Sequence, residues 1–162
     1  ILLIISKIVN TEEIMKNMQF DVLLIIASSL GIGVAMTKTG LADMLASGLV
    51  TVGEPFGIIG IIIIFYTLTN LFTEFITNSA AAVLMLPIGL ELANTLHVDP
   101  MGFAILVTIA ASASFITPIG YQTNLIVYGP GGYRFFDYVR IGTPLSLLVM
   151  VTAITVIYNI WF

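Results

Sequence analysis

Two short stretches place oxygen-bearing side chains inside otherwise apolar sequence. In the first, Asn70, Thr73, Glu74, Thr77 and Asn78 recur at i, i+3, i+4, i+7 and i+8. That spacing puts them on one face of a helix. Ser79 and the small run Ala80-Ala81-Ala82 follow, and small residues let membrane helices approach closely. In the second stretch, Thr117-Pro118-Ile119-Gly120 runs on through Tyr121-Gln122-Thr123-Asn124. Proline removes a backbone donor and disrupts the bond to the carbonyl four residues earlier. Gly120 tolerates the unwound backbone beside it. The expectation is a helix break at Pro118, Gly120 and Asn124 that leaves free carbonyls. Carbonyl, Thr and Asn oxygens are ligands for hard cations. The N-termini of half-helices turn partial positive charge toward anions. Two such breaks in one short chain point to the ion and substrate site of a secondary transporter.

These breaks need apolar elements to hold them at membrane depth, because broken backbone is tolerated there only inside protein or beside a cavity. Residues 1–9 read as the end of a helix. Residues 20–38 form a span, and 41–52 suit a helix lying along the membrane surface. Residues 56–96 read as a re-entrant hairpin with its tip near 77–79, and Pro87 can kink the second arm. Residues 103–129 form a broken helix, and 141–161 a final span of the length that crosses a bilayer core, about 20 residues. The start Ile1-Leu2-Leu3-Ile4-Ile5, without Met or a basic region, reads as part of a longer protein rather than a signal peptide. The fold class expected is all-α and membrane-embedded, one inverted-repeat half of a secondary transporter.

Composition supports this reading. Of 162 residues, 59% are hydrophobic and 9% charged, and mean hydropathy is +1.11. A soluble domain carries about 25% charged residues, so an ordinary soluble globule is excluded, and so is disorder. The chain has no cysteine and only one histidine, His97, so disulfides and thiolate metal sites are excluded. No basic patch for nucleic acid is present. Ser28, Ser29, Ser112 and Ser114 read as small packing residues, and Trp161 as an interface anchor. Lys7, Lys16, Arg134 and Arg140 fall on one side of the membrane and Lys38 on the other. The excess places loops 6–19 and 130–140 in the cytoplasm and the C-terminus outside. A plasma or inner membrane is the expected location.

Thr73-Glu74-Phe75-Ile76-Thr77-Asn78-Ser79, Thr117-Pro118-Ile119-Gly120 through Asn124, and Tyr128-Gly129-Pro130-Gly131-Gly132-Tyr133 together resemble the C-terminal half of the divalent anion/sodium symporter family. That resemblance implies sodium-coupled transport of sulfate or a dicarboxylate. It implies that Thr77-Asn78-Ser79 is the second of two hairpin-tip motifs, whose Asn and following hydroxyl contact the anion. It implies a sodium ion held by Thr73, Asn78 and the carbonyls of Ile76 and Gly120. The partners implied are the lipid bilayer, the anion, an N-terminal repeat of the same protein outside this chain, and a second copy in a homodimer. Where dicarboxylate members carry Thr-Pro-Pro-Asn, this chain has Tyr121-Gln122-Thr123-Asn124. The change reshapes the pocket around Tyr121 and Gln122, so that sulfate or another small oxyanion is at least as good a candidate as a dicarboxylate.

Glu74 stands apart as a carboxylate inside apolar sequence, where it costs about 2.5–3.5 kcal/mol on insertion scales. A structural ion pair with a cation outside this chain, or a gating or proton-coupling role, would each account for it. Other readings are a proton-coupled or metalloid-oxyanion transporter of the same superfamily, and a non-transporting scaffold or channel subunit. An enzyme is not expected, since no His-Glu-x-x-His, Gly-x-Gly-Asp or Gly-x-Ser-x-Gly occurs. Sodium is expected as coupling ion, without an organic cofactor.

Overall fold

The structure is a computed structural model that describes residues 20–162. The expected helix end at 1–9 and the loop 6–19 lie outside the described residues. Those described form helices and loops without a strand, giving an all-α membrane protein. Helix α1 is Phe20–Lys38, α2 is Leu41–Gly53, and a 3-10 turn Glu54–Phe56 leads into α3, Gly57–Phe75. Helix α4 is Asn78–Leu96, α5 is Pro100–Ser112, α6 is Gln122–Tyr128 and α7 is Phe135–Trp161. Three stretches among the described residues are long and apolar enough to cross a membrane: Leu41–Phe75, Asn78–Leu96 and Phe135–Trp161.

Each boundary has a local cause. Gly40, with φ 73°, turns the chain between α1 and α2. Helix α3 ends where Ile76 goes extended, at φ −122° and ψ 171°. Thr77 then caps α4, its Oγ1 accepting the Ala80 N–H at 3.3 Å. The two arms, each of 19 residues, are about 28 Å long. Their length fits a full crossing as well as a re-entrant arm. Pro87 sits inside α4 without ending it. Helix α5 starts at Pro100 rather than residue 103, because the Asp99 carboxylate accepts the Met101 N–H at 2.8 Å. Helix α7 starts six residues before the expected 141. There the Asp137 carboxylate accepts the Arg134 N–H at 2.7 Å and closes the first turn. Asn124 lies within α6, so the break itself is the stretch 113–121 and Asn124 follows it.

Helix α4 packs on α5, α1 and α2, while α3 packs on α5 and α2 and α7 on α5. The core holds Ile62, Phe65, Tyr66, Met85, Leu92, Phe103, Leu106 and Ile157. The rings of Phe65 and Phe103 meet edge to face at 5.4 Å, a favoured aromatic geometry. Polar side chains are buried beside this core: Thr69, Asn70, Thr73, Glu74, Ser114, Thr117 and Ser146. Large apolar side chains on α7, among them Leu148, Val151 and Ile160, are exposed, as suits a lipid-facing surface. Exposed polar side chains such as Thr67, Thr108, Thr152 and Thr155 donate to the carbonyl four residues earlier in their own helix, since bilayer hydrocarbon cannot satisfy them.

Candidate functional site

The polar face of α3 meets the break after α5. Asn70 Nδ2 donates to the carbonyls of Ala113 at 2.7 Å and Ala110 at 3.4 Å. Ser146 of α7 donates to Asn70 Oδ1 at 3.0 Å. Thr73 Oγ1 lies 2.6 Å from the carbonyl oxygen of Ala111. One turn of α3 therefore serves the carbonyls at the C-terminal end of α5, where intrahelical partners run out; that of Ala110 also accepts the Ala113 N–H at 3.3 Å.

Glu74 performs the complementary task. Its Oε1 accepts the Ile116 N–H at 2.9 Å and its Oε2 accepts the Thr117 N–H at 2.8 Å. Thr117 Oγ1 donates back to the Glu74 carbonyl at 2.9 Å and accepts the Gly120 N–H at 3.0 Å. Among the described residues the partners of the carboxylate are thus backbone amides. Asn124 Nδ2 donates to the carbonyls of Ser114 and Thr117, at 3.1 and 3.2 Å. Tyr138 Oη donates to the Asn124 carbonyl at 3.0 Å.

Some carbonyls in the break and just before it are taken by side chains. Those of Ala110, Ala111, Ala113, Ser114 and Thr117 each have a side-chain partner. The physical reason is that an unpaired buried backbone group costs about 1–3 kcal/mol, and α3 supplies donors at the required helical spacing. Of the residues expected to make up the break, Pro118 and Gly120 are buried in it. Gly120 fits tightly: a Cβ there would stand 2.5 Å from Ser114 Oγ and 3.0 Å from Glu74 Oε2.

Thr73 joins the two breaks. Its Oγ1 is also 2.7 Å from Asn78 Oδ1. The Thr73 hydroxyl, the Asn78 side-chain amide and the Ala111 carbonyl thus bring oxygens of α3, α4 and α5 together in one half-buried corner. Hydroxyl, amide and carbonyl oxygens are a donor set that suits a hard cation. The carbonyl of Ile76 leaves the helical direction beside it, because Ile76 is extended.

The expected anion contacts differ in burial. Asn78 is half-buried, while Thr77, Ser79, Tyr121 and Gln122 are exposed. Asn78 and Ser79 begin α4, so their backbone N–H groups are among the first-turn donors without a helical acceptor. Several contributors were not identified as site residues from sequence. Thr117 was visible as the residue before Pro118, and Asn70 as a member of the polar face. Ser114 and Ser146 gave no signal beyond small size. Ser114 Oγ is buried and has no partner among the described residues.

An apolar hairpin facing an interrupted helix, with polar groups turned inward, defines a multi-pass membrane protein built around paired breaks. Comparison with known proteins gives the family. The sodium:sulfate symporter transmembrane region matches residues 1–162. An uncharacterized transporter of Synechocystis sp. is 42% identical over 147 residues, covering 91% of this chain and 24% of that protein. Sodium/sulfate cotransporter 1 of Chlamydomonas reinhardtii is 32% identical, covering 99% of this chain and 18% of that protein. A sodium-dependent dicarboxylate transporter of Staphylococcus saprophyticus is 28% identical, covering 90% and 28%. The chain belongs to the sodium:sulfate symporter family, and it spans less than a third of the length of these relatives.

Proposed function

We propose that this chain forms the C-terminal half of a transporter that carries a small divalent anion together with sodium, with sulfate at least as good a candidate as a dicarboxylate. The observation that carries the reading is the meeting of the Thr73 hydroxyl, the Asn78 side-chain amide and the Ala111 carbonyl, drawn from three helices, at 2.6 and 2.7 Å. Sodium would be held by Thr73, Asn78 and the carbonyls of Ile76 and Gly120. The anion would lie against Asn78, Ser79 and Thr77 at the N-terminus of α4, where backbone N–H groups favour negative charge. Tyr121 and Gln122 would border the same space. Their exposure leaves room for the other half of the protein to complete the pocket.

Coupling follows from differential affinity. Sodium at the tip offsets the anion's charge and orders Asn78, so the anion binds well only after sodium. The outward and inward states then differ in free energy according to loading, and only the fully loaded or empty carrier exchanges sides. In this arrangement loop 130–140 faces the cytoplasm and the C-terminal end of α7 faces outside. The full-length protein would work as a homodimer in the plasma or inner membrane.

The test is uptake of labelled sulfate and succinate into proteoliposomes holding the full-length protein. Sodium-dependent uptake of either anion is the expected result. Uptake driven equally by a proton gradient without sodium would replace sodium by protons. No uptake of either anion, with no sodium-dependent protection of the tip from thiol labelling, would favour a scaffold or channel role.

A further inference from the structure

We propose that Glu74 is a positioning residue and fixed counter-charge for the sodium site, acting through the unwound segment rather than as a ligand. The inference rests on the symporter reading above.

Three observations meet here. First, Glu74 is the only buried charged side chain among the described residues, at 2% exposure. Its two oxygens accept N–H bonds from Ile116 and Thr117 at 2.9 and 2.8 Å. Amide dipoles spread a carboxylate's charge but do not cancel it, and an uncompensated charge at membrane depth is costly. Second, Glu74 adjoins Thr73 in sequence. A cation held at Thr73 Oγ1 and Asn78 Oδ1, which stand 2.7 Å apart, would be the neighbouring positive charge. Third, the proposed sodium site draws ligands from two segments, the hairpin and Gly120 of the break. Glu74 sets the register between them. A Cβ on Gly120 would stand 3.0 Å from Glu74 Oε2 and 3.1 Å from Thr117 Oγ1. The Gly120 N–H is held by Thr117 Oγ1, which in turn donates to the Glu74 carbonyl. Moving the carboxylate off the Thr117 N–H would therefore shift Thr117 and, through it, Gly120.

The two effects act in the same direction on sodium, and neither weakens the anion. Losing the charge weakens sodium and relieves repulsion of the anion. Losing the register weakens sodium and leaves the anion contacts at Asn78 and Ser79 in place. A residue needed only for folding would instead lower the amount of active protein without changing either affinity.

The experiment uses the purified full-length protein with Glu74→Gln and, separately, Thr117→Val. In Glu74→Gln an amide donor confronts one of the two N–H groups and the charge is gone. Thr117→Val keeps the carboxylate and removes the bridge to Gly120. Two readouts are taken: sodium concentration for half-maximal uptake, and the rise in unfolding temperature when sodium replaces choline. We expect half-saturating sodium to rise about tenfold in Glu74→Gln, within the usual range of linkage between coupled groups. A smaller rise is expected in Thr117→Val. Anion affinity at saturating sodium should stay unchanged or improve. Should Glu74→Gln fail to fold, Thr117→Val carries the test. Half-saturating sodium equal to wild type in the variants that fold would overturn the proposal. A wild-type protein that sodium neither drives nor stabilises would sink the symporter reading itself, and the proposal with it.

Discussion

The hairpin tip and the break after α5 interrupt apolar helices by different means. The tip spends two residues, Ile76 and Thr77, and largely caps itself: Thr77 Oγ1 accepts one N–H and the Thr77 carbonyl accepts another, from Ala81 at 2.9 Å. The break spends nine residues, 113–121, and relies on its surroundings. Asn70 and Thr73 of α3 serve its start, Glu74 and Asn124 serve its middle, and α7 closes on it at Gly142. A short interruption can thus stay open toward a ligand, whereas a long one has too many backbone groups to leave unpaired in a membrane. The polar face of α3 therefore mainly holds the break, and the tip keeps Asn78 and Ser79 available.

That contrast orders the expected effects of substitution. Asn78→Ala should strike the tip hardest, reducing uptake by the full-length protein to background with an unfolding temperature near wild type. Retained uptake would remove the tip from the site. Gly142→Ala should strike the break, because a Cβ there overlaps the Phe115 carbonyl. Overpacking of this kind costs about 1–3 kcal/mol, read as a clear drop in unfolding temperature in detergent. Asn70→Ala should cost about 2 kcal/mol, since it strands the Ala113 carbonyl and the Ser146 hydroxyl in a buried setting. An unfolding temperature equal to wild type would mean that water serves those groups and that the break is less dependent on α3 than its geometry indicates. Thr77→Ala should have the smallest effect, about 1 kcal/mol for an exposed N-cap. A loss larger than that of Asn70→Ala would reverse the comparison between the two regions.

Much of this was legible in the residues. The i, i+3, i+4 spacing of Asn70, Thr73 and Glu74 showed that they share a face, and Pro118 with Gly120 marked where a helix must stop. Thr77-Asn78-Ser79 was read as the hairpin tip, while the capping role of Thr77 came only with the structure. The early starts of α5 and α7 were less visible, because Asp99 and Asp137 read as loop charges until their carboxylates were seen on backbone N–H groups. Ser146 lies 76 residues from Asn70 in sequence, and no periodicity connects them.

The composition and the placement of charges determined the solvent of this protein, its helical class and the two positions at which its helices break. These follow from local properties: transfer of side chains into hydrocarbon, and the missing N–H of proline. What only the tertiary structure decided is which partner each freed group takes. Thr73, Asn78 and Ala111 meet because α3, α4 and α5 pack together, and Glu74 finds two amides 42 and 43 residues away. Hydrogen bonds depend on distance and angle between groups remote in sequence, so the same polar face could equally have lined a cavity. Packing turned most of it toward the break, and at its end Thr73 also meets Asn78 of the tip.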